Sequence, residues 1–233
     1  MSGFSRLPLH VDLVPERGSW IALPPTLAAQ LLDAGAELPL IVQLVPLDAI
    51  GAPAQGARPL FAAWQGSTLP SEGALGVPAA LANCLGLRRG APVQLRPLAG
   101  VPAAEAVIVE PLSGDDWEVL ELNAGHLEDQ LLEQVGVVAP GQALTMWARQ
   151  APARLLVTSL LPEGLAVARL APGTEVHIAP KPRVGAAGGN GGGELPAVGG
   201  GGEAAAAAAA AEQAPRRVWL RVLEAGPERC SRG

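Results

Sequence analysis

Apolar positions along this chain recur with two periods, and the switches between them mark its elements. His10–Val14 and Trp20–Leu23 read as strands, joined by the turn-rich Pro15-Glu-Arg-Gly18. Pro24-Pro25-Thr26 then opens a helix whose apolar positions Leu27, Leu31 and Leu32 have helical spacing, with Gly35 placed to end it. Leu38–Leu47 is a nearly continuous apolar run, broken by Gln43 and prolines, and is expected to be a buried strand. Residues 51–58 form a loop by composition, Leu60–Gly66 a short strand, and Thr68–Gly73 a turn. Val77-Pro78 opens a second helix through Leu85. The Gly86–Gly90 pair, in a Gly-x-x-x-Gly turn, leads into a strand at Val93–Arg96.

The pattern changes after a short connection at 101–105. An alternating run from Val107 stops at Pro111, and Ser113 with Asp116 three residues on has capping-box spacing. Asp115, Asp116 and Glu118 fill the first turn of that helix, where its dipole favours negative charge. Trp117 and Leu120, then Leu127 and Leu131, give apolar faces to two helical segments separated by a cap position at Asn123. Strand-like runs follow at Gln134–Val138, Ala143–Ala148, Leu155–Leu161, Leu165–Leu170 and Glu175–Ala179, punctuated by Pro-Gly and Pro-Glu-Gly turns. The expected class is mixed α+β: a barrel-like lobe over 8–101 and a smaller α/β lobe over 104–183.

Composition limits how much of the chain adds to those lobes. Residues 184–215 are a Gly-rich and Ala-rich low-complexity tract, which gains little burial to offset its ordering entropy and is expected to be a disordered linker. Residues 216–233 form a short unassigned tail, in which Arg216–Leu223 suits a short strand or an amphipathic segment. Outside low-complexity sequence there is no apolar run long enough for a transmembrane segment. The N-terminus lacks a signal-peptide pattern. A net charge of −6, no tyrosine and two phenylalanines argue against a nucleic-acid binder. Cys84 and Cys230 sit in unrelated contexts, so a disulfide framework is not expected. Lys181 is the only lysine and lies between prolines, so no Walker A loop exists in this sequence to hold nucleotide phosphates.

The string Glu110-Pro-Leu-Ser-x-Asp-Asp-Trp-Glu-x-Leu-Glu-Leu122, with Leu-Glu-x-x-Leu-Leu-x-Gln ending at Gln134, is far more specific than a capped helix. It closely resembles the second lobe of the N-terminal domain of the peroxin-one family of AAA ATPases, and more distantly the N-domain of valosin-containing protein. Trp20–Leu31, Trp64-Gln-Gly66 and Ala82–Pro97 are similar to elements of the first lobe, and Pro140-Gly-Gln142, Met146-Trp147 and Thr174–Arg183 to the close of the second. The resemblance covers about residues 8–183. It implies a double-psi β-barrel packed on an α/β lobe, with a partner-binding groove between them. It also implies a non-catalytic role ahead of two ATPase rings that recycle the import receptor during peroxisomal matrix protein import. Partners implied are the second peroxisomal AAA ATPase and the import-receptor machinery, with a possible acidic-lipid or membrane-anchor contact. The implied location is the cytosol and the cytosolic face of the peroxisomal membrane. ATP and magnesium belong to the motor modules of the family, which this chain lacks, so no cofactor is expected here. A fragment, a truncated product and a stand-alone adaptor remain alternatives, as does a small double-psi-barrel enzyme.

Candidate chemistry is sparse. Asp115, Asp116, Glu118 and Glu121 are expected to complement the helix dipole rather than form a catalytic carboxylate set, since adjacent helical residues point about 100° apart. No Lys or Arg lies between Glu105 and Glu133, so this face is expected to be strongly negative and usable for docking. His10, His126 and His177 lack metal-ligand spacing, and Cys84 reads as a buried structural thiol. Ser19, Ser67 and Ser159 have no nucleophile-elbow setting, although Gly18-Ser19 and Gly66-Ser67 suit the self-cleavage of some small double-psi barrels. Trp117 and Trp147 are expected to anchor the core, and Arg88-Arg89 to be exposed. The partner groove is assigned to Val101 and Pro102 of the link together with Leu131.

Overall fold

The computed structural model describes residues 8–54, 56, 58–181 and 218–222. The first lobe contains β1 (Leu9–Val14), β2 (Trp20–Leu23), α1 (Pro25–Asp33), β3 (Leu40–Pro46), β4 (Leu60–Thr68), β5 (Ala74–Pro78), α2 (Ala79–Leu85) and β6 (Pro92–Leu98). Its six strands close into a barrel in the order β1-β5-β2-β4-β3-β6, with parallel β1–β5 and β2–β4 pairs among antiparallel neighbours. This is a double-psi β-barrel, filled by Ile21, Leu23, Leu44, Trp64, Leu75 and others, all buried.

Local sequence explains the crossings. Pro25 opens α1, where its missing N–H has no helical partner to lose. Gly86 takes a left-handed conformation at the end of α2, and Leu87 N–H donates to Ala82 O at 2.8 Å, closing the last turn. Gly90 N–H then donates to Val11 O at 2.7 Å, which pins the Gly-bracketed turn against β1 before β6 begins.

The second lobe contains β7 (Ala106–Pro111), α3 (Gly114–Leu122), α4 (Ala124–Gln134), β8 (Val137–Val138), β9 (Ala143–Ala148), β10 (Ala151–Leu161), β11 (Ala168–Arg169), β12 (Glu175–Ile178) and β13 (Val218–Arg221). Five of these form a sheet in the order β13-β12-β7-β10-β9, with β7–β12 parallel. Its inner face packs with α3 and α4 around Val109, Trp117, Leu120, Leu127, Leu131 and Leu155. Buried and exposed positions alternate along β10 until a register shift between Val157 and Ser159, after which Leu160 is the buried position.

Several elements differ from their sequence assignment. α4 runs through Gln134, so the strand expected at Gln134–Val138 shrinks to β8, and Leu165–Leu170 shrinks to β11. These two short strands pair with each other outside the main sheet, and Arg169 also bridges to Ala103 of the link. Asn123 is the cap position between α3 and α4 as expected, but its side chain serves α3: its amide donates to Val119 O at 2.8 Å, and α4 has no side-chain cap bond. The unassigned tail supplies β13, which makes 218–222 part of the second lobe although the low-complexity tract intervenes. That tract and the rest of the tail lie outside the described residues.

Candidate binding surface between the lobes

Three apolar residues of the barrel wall, Ile41, Phe61 and Ala63, meet Val137 and Ala139 of the second lobe in a cluster of their own. The approach is close enough to require glycine. A Cβ on Gly136 would lie 2.2 Å from Trp20 Cη2 and 2.8 Å from Ala63 Cβ, distances no side chain tolerates. The Trp20 indole N–H donates to Glu133 O at 2.6 Å, and Ser19 N–H donates to Gln134 O at 2.6 Å.

Two glutamines stand in for missing strand partners. The Gln142 side-chain amide accepts from Phe61 N–H and donates to Phe61 O, both at 2.9 Å, so one residue of the second lobe extends the barrel's ladder. Gln134 does the same within its own lobe, accepting from Trp147 N–H at 2.6 Å and donating to Trp147 O at 2.9 Å. A buried amide satisfied at both ends fixes position as well as adding stability. Farther out, Arg17 donates to Arg149 O and to Gln150 Oε1, each at 2.8 Å, and its guanidinium lies 4.8 Å from the Trp147 ring centroid. The Cys84 thiol of α2 lies 3.3 Å from Thr145 Oγ1 on β9, and burial pushes its pKa up against the weaker opposing effect of that hydroxyl. The lobes therefore meet through a specified joint.

The three residues assigned to the groove are not brought together. Val101 is half-buried against the joint cluster, and Pro102 is exposed, with its carbonyl accepting from Arg169 N–H at 2.9 Å. Leu131 is 2% exposed and belongs to the core of the second lobe. It lines an apolar void of about 10 Å³ beside Val109, Met146, Leu155 and Val176, a space with no polar partner for water. Helical spacing marked Leu131 as apolar but could not say which partner covered it. The signal that does mark the joint is Gly136 between α4 and an apolar pair, a position where any larger residue is excluded.

The remaining candidates fall into plain structural settings. Ser113 caps α3, accepting from Asp116 N–H at 3.1 Å and donating to the Asp116 carboxylate. Asp116 is not a surface acid of the helix dipole: it is 5% exposed and accepts from Arg154 N–H at 2.9 Å, with the Arg154 guanidinium at 3.5 Å. Burial pushes its pKa up, but the Ser113 hydroxyl and the Arg154 contacts outweigh that and hold it below the usual carboxylate range. The acidic face is also less bare than its sequence suggested, because the Arg154 guanidinium reaches Asp116 from β10 and the Arg221 main-chain N–H donates to Glu128. Trp117 is a core anchor, whereas Trp147 is half-buried beneath Arg17. Arg89 pairs with Asp12 at 3.1 Å. Gly18-Ser19 is covered by Gln134, and Ser67 O accepts from the Trp64 indole. Among the described residues no cluster of three or more His, Cys, Asp and Glu has metal-binding geometry, and no helix is long and apolar enough to cross a membrane.

Residues 105–180, the second lobe up to β12, match the family model described as peroxisome biogenesis factor 1, N-terminal. The chain belongs to that family. The peroxisomal ATPase PEX1 of Dictyostelium discoideum is 38% identical over 105 residues, which is 44% of this chain and 8% of its own length. Its namesake in Homo sapiens is 40% identical over 100 residues, 42% of this chain and 8% of its own. The PEX1 of Komagataella phaffii is 31% identical over 174 residues, 72% of this chain and 15% of its own. The chain thus spans a small part of each relative it matches. The matched segment carries the second-lobe half of the joint, Glu133, Gln134, Gly136, Gln142 and Thr145. The barrel half, Ser19, Trp20, Phe61 and Cys84, lies outside it, as does β13.

Proposed function

We propose that this chain is the partner-binding, non-catalytic N-terminal region of a peroxisomal AAA ATPase, acting in import-receptor recycling and matrix protein import at the cytosolic face of the peroxisome. The observation that carries the reading is the match over 105–180 in a lobe rigidly joined to a double-psi barrel. A joint held by Gly136 against Trp20 and by Gln142 against Phe61 presents both lobes as one surface, which suits docking better than turnover. The partners are the second peroxisomal AAA ATPase and the import-receptor machinery, with an acidic-lipid contact as an additional membrane tether. The contact point is the inter-lobe link at Pro102, beside half-buried Val101, and Leu131 supports that surface only from within the core.

The test is retention of the purified second ATPase and of purified import receptor on immobilised chain. Wild-type chain retains at least one of them, and Pro102→Asp lowers that retention about tenfold, or about 1.4 kcal/mol. Retention of neither protein by the wild-type chain sinks the proposal, and equal retention by both chains moves the contact away from the link.

A further inference from the structure

The second-lobe sheet ends in a strand that the chain delivers from a distance. β13 pairs antiparallel with β12, Glu175 opposite Arg221, Val176 opposite Leu220 and Ile178 opposite Val218. Gly173 N–H donates to Val222 O at 2.9 Å and Val222 N–H donates to Thr174 O at 3.0 Å, which extends the ladder by one residue. Leu220 and Val222 are 2% and 1% exposed, and Val218 packs beside them, so alternate side chains enter the core. Arg221 points outward, with its guanidinium 3.4 Å from Glu175 Oε1.

The outer edge is prepared for a strand as well. Arg221 N–H, which a further strand would otherwise satisfy, donates instead to Glu128 Oε1 of α4 at 3.1 Å. The site therefore has an apolar floor, a main-chain edge, and two carboxylates flanking one position. Residues 179–217 separate β13 from β12 in sequence, whereas β9 and β10 are joined directly by Arg149-Gln150. The register of β13 rests on its own contacts, as it does for a bound peptide.

We infer that the β12 edge, walled by α4, is a strand-acceptor site that the chain fills with its own residues 218–222. The same site accepts an extended segment of another polypeptide with aliphatic residues at alternate positions and an arginine or lysine whose side chain faces Glu175 and whose main-chain N–H is taken by Glu128. Displacement of β13 by such a segment is strand exchange, with the same ladder remade by a different chain.

The test uses the full chain and a fluorescein-labelled peptide of the sequence of residues 216–223, followed by anisotropy. In the Leu220→Asp, Val222→Asp chain the internal strand is disabled, and the peptide binds saturably and at least about tenfold tighter than to wild type. An Arg221→Glu change in the peptide abolishes that gain, and Glu175→Lys in the chain restores it. Equal binding by wild type and variant, or no saturable binding to the variant, overturns the inference. So does loss of the folded circular dichroism spectrum in the variant, because the strand would then be inseparable from the core. The milder Arg221→Glu chain leaves Leu220 and Val222 in place, and it takes up the unmodified peptide better than wild type by about threefold or more. Unchanged uptake removes Glu175 from recognition and overturns the specificity assigned here.

Discussion

In the barrel, β6 pairs with β1 and the strands close on themselves, so main-chain hydrogen bonds complete nearly all of the sheet, with Gln142 of the second lobe serving Phe61. In the second lobe the sheet stops at β9 on one side and at β13 on the other, and side chains finish what the ladder leaves open. The difference shows in the buried polar residues. Among the described residues Ser19 lies in the barrel, while Asp116, Gln134, Thr145 and Thr174 lie in the second lobe. Thr174 Oγ1 donates to Ala104 O at 2.7 Å, Gln134 pairs with Trp147, and Asp116 holds Ser113 to Arg154. A closed barrel asks each position mainly to be apolar or polar, whereas an open sheet tied by side chains needs particular residues. The matched family segment, 105–180, falls on the lobe of the second kind.

The largest test of this contrast removes the big anchor of each lobe. Trp64 is fully buried in the barrel, and Trp117, on the buried face of α3, is 7% exposed. Trp64→Ala and Trp117→Ala should each cost about 3–5 kcal/mol. The joint should carry the loss across, giving one urea transition by hydrogen exchange in both lobes. Two separated transitions would show that the lobes fold independently and that the joint is only a contact.

A smaller effect is expected at the joint itself. Gly136→Ala places a methyl carbon 2.2 Å from the Trp20 ring, so the ring or the backbone must shift, at about 1–3 kcal/mol. Loss should appear as faster exchange of the Ser19 and Phe61 amides, which bond across the joint. If those amides stay protected while the protein is destabilised, the strain has been absorbed elsewhere.

Much of this architecture was legible in the chain, and the exceptions have physical reasons. Pro25 and Gly86 mark helix ends and Gly90 the turn before β6 because each acts through its own backbone, so the barrel's crossings could be read locally. The capping spacing of Ser113 and Asp116 was equally local, but the burial of Asp116 under Arg154 depends on β10, across a separation that periodicity does not reach. Leu131 carried the right apolar period and still could not be assigned a side, because an amphipathic stripe says what is buried and not against what. A short strand was one of two readings of Arg216–Leu223, but its place in the second lobe was hidden for a similar reason: a four-residue strand beyond low-complexity sequence has no neighbour in the chain to announce its pairing.

The finest discrimination lies between two adjacent acids, Asp115 and Asp116. Sequence gives them one role in the first turn of α3, and the structure separates them. Asp115 is exposed, and Asp115→Asn should cost about 0.3–1 kcal/mol, the scale of a dipole interaction. Asp116→Asn should cost more, about 1–2 kcal/mol, because a buried carboxylate loses charge-assisted bonds while Arg154, largely exposed, can turn to water. The pH dependence separates them further. Asp116 has a depressed native pKa, so its stabilisation is present above its unfolded-state pKa and is lost as pH falls through the native one. The gap in Tm between wild type and Asp116→Asn should therefore be widest near about pH 6 and close toward about pH 3. A gap that stays constant over that range would mean that Asp116 is held by shape rather than by charge, and the Ser113–Asp116–Arg154 link would lose its electrostatic meaning.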